Sequence, residues 1–148
     1  MAGPQAPRVR HPSPHRGEVS GLAIAFAILA APAVWALQVL LNYGLSSMAC
    51  FPRDYPRTVL PAGWSWLPTL LAASTAVALV IAVAAAWAGY RSWRRTREEA
   101  DGEHRRLLEV GEGRSRFLAA WGLWIGVLFA VAILFDAVGL ALVTSCGG

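Results

Sequence analysis

From Gly21 to Ser145 the chain alternates between three long apolar stretches and short polar blocks. The first stretch, GLAIAFAILAAPAVWALQVLLNYGLSS, covers 21–47; the second, WLPTLLAASTAVALVIAVAAAWAGY, covers 66–90; the third, FLAAWGLWIGVLFAVAILFDAVGLALVTS, covers 117–145. Each supplies the roughly 20 apolar residues that a helix needs to cross about 30 Å of hydrocarbon. The pattern predicts an all-α integral membrane protein with three transmembrane helices.

The polar blocks set the remaining boundaries. Residues 1–20, with Pro4, Pro7, Pro12 and Pro14, read as a disordered tail. Residues 48–65 form a connection in which Pro52, Pro56 and Pro61 disfavour a long helix. Residues 91–116 begin as an extension of the second helix, because Arg94 with Glu98 and Arg95 with Glu99 pair opposite charges one turn apart. Gly111, Glu112 and Gly113 are expected to break that helix before the third span. Residues 146–148 form a short terminus. Aromatic residues mark the boundaries: Tyr55, Trp64 and Trp66 at one end, Trp87, Tyr90 and Trp93 at the other.

Composition agrees with this pattern. The mean hydropathy is +0.47, and 56% of residues are hydrophobic against 15% charged. A soluble domain of this size needs a more polar surface than that. Lysine is absent, so arginine alone sets the orientation. Arg8, Arg10 and Arg16 precede the first span, and Arg91, Arg94, Arg95, Arg97, Arg105, Arg106, Arg114 and Arg116 lie between the second and third. The first connection carries only Arg53 and Arg57. The positive-inside rule then places the N-terminus in the cytoplasm and the C-terminus in the periplasm of a bacterial inner membrane. The net charge of +4 is explained by lipid headgroups at the cytoplasmic arginines rather than by nucleic acid.

Polar residues within the spans are the candidates for chemistry. Trp35, Gln38, Asn42 and Leu45 share one helical stripe of the first span. In the third span Gly122, Gly126, Phe129, Ile133, Asp136 and Leu140 share another. Gly122 and Gly126 form a small-xxx-small pair suited to close helix packing. Asp136 lies ten residues before Cys146 and Gln38 twelve before Cys50, each a rise of about 15–18 Å. Equal depth predicts an intramembrane polar cluster in which Gln38 or Asn42 bonds to Asp136. A carboxylate at that depth is expected to face protein or a water-filled cavity. It serves a proton path, a contact with a larger complex, or an interhelical fastening, and no second buried acid, lysine or histidine continues a relay. Ser74 and Thr75 in the second span read as packing groups.

The two cysteines fall just past the first and third spans. Cys50 and Cys146 are therefore expected on one oxidising side, where a disulfide would join two helix ends. A rival reading takes Met48, Cys50 and Cys146 as soft copper ligands, without an outward histidine to support it. His11, His15 and His104 all lie outside the spans, which excludes bis-histidine haem within them. No nucleotide loop, zinc motif or nucleophile elbow occurs. The expectation is a protein that is not an enzyme and carries no cofactor or metal.

Two segments carry a resemblance. PAVWALQVLLNYGLSSMACFP (32–52) and GRSRFLAAWGLWIGVLFAVAILFDAVGLALVTSC (113–146) resemble the first and last spans of small bacterial inner-membrane proteins found beside haem-copper cytochrome c oxidase genes. They cover somewhat over a third of the chain, and Trp35, Gln38, Tyr43, Cys50, Arg114, Phe117, Asp136 and Cys146 stand out in them. The resemblance implies a noncatalytic accessory subunit or assembly partner of a larger membrane complex, a respiratory oxidase. It transfers no catalytic residue. The alternatives are a small transporter or channel using Asp136, and a copper-handling protein on the periplasmic side.

Overall fold

The structure, a computed structural model, describes residues 21–52, 55–100, 112–143 and 146, with backbone alone over 96–100 and 112–116. It contains three long helices: α1 (Gly21–Cys50), α2 (Leu67–Ala100) and α3 (Glu112–Leu142). Each contains a segment long and apolar enough to cross a membrane. A helix suits such segments because it satisfies its own internal backbone donors and acceptors where water is excluded. Pro32 lies inside α1 without ending it. Its missing N–H frees one carbonyl, a defect that a packed apolar helix tolerates.

The helices run past the expected spans. α1 continues to Cys50 rather than stopping at Ser47, and α2 continues to Ala100. α3 starts at Glu112, so Gly113 is a first-turn residue and not part of the break. First-turn N–H groups have no intrahelical partner in any case, so a glycine there forfeits little. The expected tail over 1–20, the stretch 101–111 between α2 and α3, and all three histidines lie outside the described residues. So do the side chains of the expected Arg94–Glu98 and Arg95–Glu99 pairs on the glutamate side.

Side-chain packing gives the topology. Ala49 and Cys50 at the end of α1 pack with Leu67 and Leu71 at the start of α2, and with Leu140 and Cys146 at the end of α3. α1 and α3 are therefore parallel and α2 antiparallel to both, an up-down-up bundle in which every helix touches the other two. Two apolar clusters lie along its axis. Near the cysteine end Leu67, Leu71, Ala49 and Cys50 are buried, with Leu45, Leu60 and Trp64 against them. Farther along, Ala31, Ala78, Ala82, Ala85 and Ile133 form the second cluster.

Towards the arginine end, glycine brings backbones together. A Cβ on Gly126 would stand 2.7 Å from the Ala86 backbone, and one on Gly122 would stand 2.9 Å from the Ala27 Cβ. Gly89, on α2 and outside the small-xxx-small pair, is tighter still: its Cβ would meet the Leu123 nitrogen at 2.5 Å. The α2–α3 seam therefore uses a glycine from each side, Gly89 of α2 and Gly126 of α3, while Gly122 lets α3 approach Ala27 of α1. Such close approach maximises dispersion contact where lipid tails remove the hydrophobic drive for helix association.

The connection between α1 and α2 folds back on the bundle. The Arg57 N–H donates to the Cys50 carbonyl at 2.7 Å, and a 3₁₀ turn over Ala62–Trp64 leads into α2. Trp64 and Trp66 stack at 5.5 Å, and the Trp66 indole donates to the Gly63 carbonyl. At the opposite end Trp87, Tyr90 and Trp93 form a ladder along α2, with the Arg94 guanidinium 6.0 Å from the Tyr90 ring centre.

Candidate functional site

Between the two apolar clusters lies a layer of polar side chains drawn from all three helices. α1 supplies Trp35, Gln38 and Asn42; α2 supplies Ser74 and Thr75; α3 supplies Asp136. Ile133, Ala31 and Ala78 of the inner cluster give the register. One turn towards the cysteine end from each stand Asp136, Trp35 and Thr75. Two turns along α1 from Ala31, on the same face, stands Gln38.

The partners differ from those expected. Asp136 Oδ2 accepts a hydrogen bond from the Trp35 indole N–H at 3.1 Å. Gln38 Nε2 donates instead to Thr75 Oγ1 at 3.1 Å, and Ser74 Oγ donates to Asn42 Oδ1 at 3.3 Å. The reason is rotational. Gln38 and Asn42 fall on the face of α1 turned to α2, as their partners Thr75 and Ser74 show. Their side chains therefore meet α2. Trp35 lies on the flank nearer α3, where its ring also packs 5.3 Å from Phe129, and its long side chain spans the gap to Asp136.

Ser74 and Thr75 consequently do more than fill space. Thr75 donates its hydroxyl proton to the Leu71 carbonyl at 2.8 Å, and Ser74 shares its one proton between that carbonyl, at 2.9 Å, and Asn42, which holds both hydroxyls against α2. The available signal was their placement as adjacent hydroxyl residues in an otherwise apolar helix, at the depth of Gln38 and Asn42. Gln38 and Thr75 are 2% and 5% exposed, so the bond between them is made out of reach of solvent. Asp136 is half-buried.

Cys50 and Cys146 form a disulfide across a sequence separation of 96, with their Cα atoms 5.3 Å apart. It joins the ends of α1 and α3 directly above Leu67 and Leu71. Both sulfurs are thereby used, which leaves no thiolate for the copper arrangement with Met48. Among the described residues no three His, Cys, Asp or Glu side chains come together as a metal would require.

The polar layer is thus closed at both ends. Leucines and the disulfide cover one side; alanines and glycines close the other. Its bonds tie α1 to α2 twice and α1 to α3 once. The outward faces stay apolar, including an open groove on α3 lined by Phe117, Ala120, Trp121 and Trp124. Compared with known families, curated proteins and solved structures, the chain shows no match.

Proposed function

We propose that the protein is a noncatalytic accessory subunit or assembly partner of a larger complex in the bacterial inner membrane, with its N-terminus cytoplasmic and its disulfide on the periplasmic side. The observation that carries this reading is the use made of the polar side chains. Trp35, Gln38, Asn42, Ser74, Thr75 and Asp136 bond helix to helix within a layer closed above and below. Side chains lining a transport route would instead face a continuous aqueous passage. A bundle fastened at three levels suits a rigid element around which other membrane subunits pack.

The respiratory assignment rests on the resemblance of residues 32–52 and 113–146 to proteins found beside haem-copper oxidase genes. The cytoplasmic arginines bind lipid headgroups in this reading, as their place beside the spans favours. Affinity purification of the tagged chain from host membranes in mild detergent, with partner identification by mass spectrometry, tests it. Stoichiometric recovery of haem-copper oxidase subunits is the expected result. A homo-oligomer that passes ions in liposomes would establish the transporter reading in its place.

A further inference from the structure

The outward face of α2 changes character along its length, and the change keeps one register. Val80, Val83, Trp87, Arg91 and Arg94 follow at helical spacing and form a single stripe. All five are exposed, Val80 at 68% and Trp87 at 60%, which turns the stripe towards the bilayer. It is aliphatic within the span, aromatic at the boundary and cationic beyond it. From Val80 to Arg91 it rises about 16 Å, close to half of a hydrocarbon core about 30 Å thick. The stripe therefore matches one leaflet from chain region to headgroup.

Aromatic rings shape its cationic end. The Trp87 and Tyr90 rings stand 5.8 Å apart, and the Arg94 guanidinium lies 6.0 Å from the Tyr90 ring centre. That contact draws the Arg94 head towards the aromatic pair. Arg91, three residues earlier, is its neighbour on the helix surface. Like charges at this spacing repel each other, and an anion beside both relieves the cost. Glu98, seven residues after Arg91, offsets at most one of the two charges. One positive charge is left at the edge of the span.

We propose that this stripe binds one anionic phospholipid. Its phosphodiester accepts hydrogen bonds from Arg91 and Arg94, Trp87 lies beside the ester region, and one acyl chain follows Val83 and Val80. Guanidinium groups suit this role because they donate to phosphate through parallel pairs of N–H groups. A zwitterionic headgroup brings its own cation, which the remaining positive charge repels. An acidic protein segment would satisfy the arginines but would match neither Trp87 nor the valines. A phospholipid answers all five positions. The site deepens the headgroup-binding part of the proposed function, on which it rests, and is independent of the identity of the complex. In the proposed orientation the lipid belongs to the cytoplasmic leaflet.

Native mass spectrometry of the purified full chain tests this, in detergent micelles containing phosphatidylglycerol or phosphatidylcholine with identical acyl chains. One retained phosphatidylglycerol per chain is expected, at several times the level of phosphatidylcholine. Arg91→Gln should lower that retention about fivefold, the worth of one arginine near anionic lipid. Arg57→Gln, in the connection at the other end of the bundle, should leave it unchanged. Equal retention of the two lipids overturns the proposal. So does an equal loss in Arg57→Gln and Arg91→Gln, which would mean a diffuse attraction of charge. A phosphatidylglycerol preference that survives in the Arg91→Gln, Arg94→Gln double variant removes the site from α2, while headgroup binding by the other arginines still stands. Should the variants fail to fold, ³¹P dephasing of ¹⁵N-labelled arginine in the unmodified protein, in phosphatidylglycerol bilayers, decides. A direct phosphorus contact at the Arg91 side chain is expected, and its absence overturns the proposal.

Discussion

Gly126 and Gly139 sit on one helix, yet a methyl group at the two positions has opposite consequences. At Gly126 the added carbon would press on the Ala86 backbone, whereas at Gly139 it would meet nothing within 4 Å. Gly126→Ala should therefore destabilise the bundle by about 1–3 kcal/mol through overpacking. Gly139→Ala should be neutral or stabilising by up to about 1 kcal/mol, since alanine is the better helix former. Reversible unfolding in bicelles measures both. The Trp35–Asp136 bond calls for a double-mutant cycle with Trp35→Phe and Asp136→Asn. Bonds between membrane helices average about 0.6 kcal/mol with a maximum near 1.7, so a coupling in that range is expected. Zero coupling would mean that the bond does not form in the bilayer.

At the scale of the elements, three kinds of fastening act at three depths. The glycine seam holds α2 and α3 at the arginine end, the polar layer joins all three helices midway, and the disulfide ties α1 to α3 at the other end. The crosslink encloses all of α2, so it limits the unfolded chain over a long loop. Replacing both Cys50 and Cys146 with serine should lower stability by about 2–4 kcal/mol. The unmodified protein, extracted with an alkylating agent present, should gain two alkyl groups only after reduction. Two groups gained without reduction would count against the bond.

For the whole molecule, orientation is the consequence that reaches furthest. Eleven of the thirteen arginines precede the first span or lie between the second and third, so the orientation we propose sends Cys50 and Cys146 outward. After mild reduction of intact cells with their outer membrane permeabilised, a membrane-impermeant maleimide should label both cysteines. Labelling confined to inverted inner-membrane vesicles would reverse the topology and set the disulfide in a reducing compartment, where such bonds are rare.

How much of this was legible beforehand differs by feature. Three helices of spanning length follow from the amino-acid sequence, because a run of apolar residues can be counted without knowing any neighbour. The pairing of Cys50 with Cys146 was open to inference for a similar reason: the chain has two cysteines, and both follow a span. Helical periodicity also put Gln38, Asn42 and Asp136 on inward stripes. It could not say which neighbour each stripe would face, and depth alone wrongly joined Gln38 or Asn42 to Asp136. Rotation and register between helices arise from packing, here from backbones meeting at Gly89, Gly122 and Gly126. That packing turned Gln38 and Asn42 towards Thr75 and Ser74 and left Asp136 to the reach of an indole. A stripe is a property of one helix; a partner is a property of two.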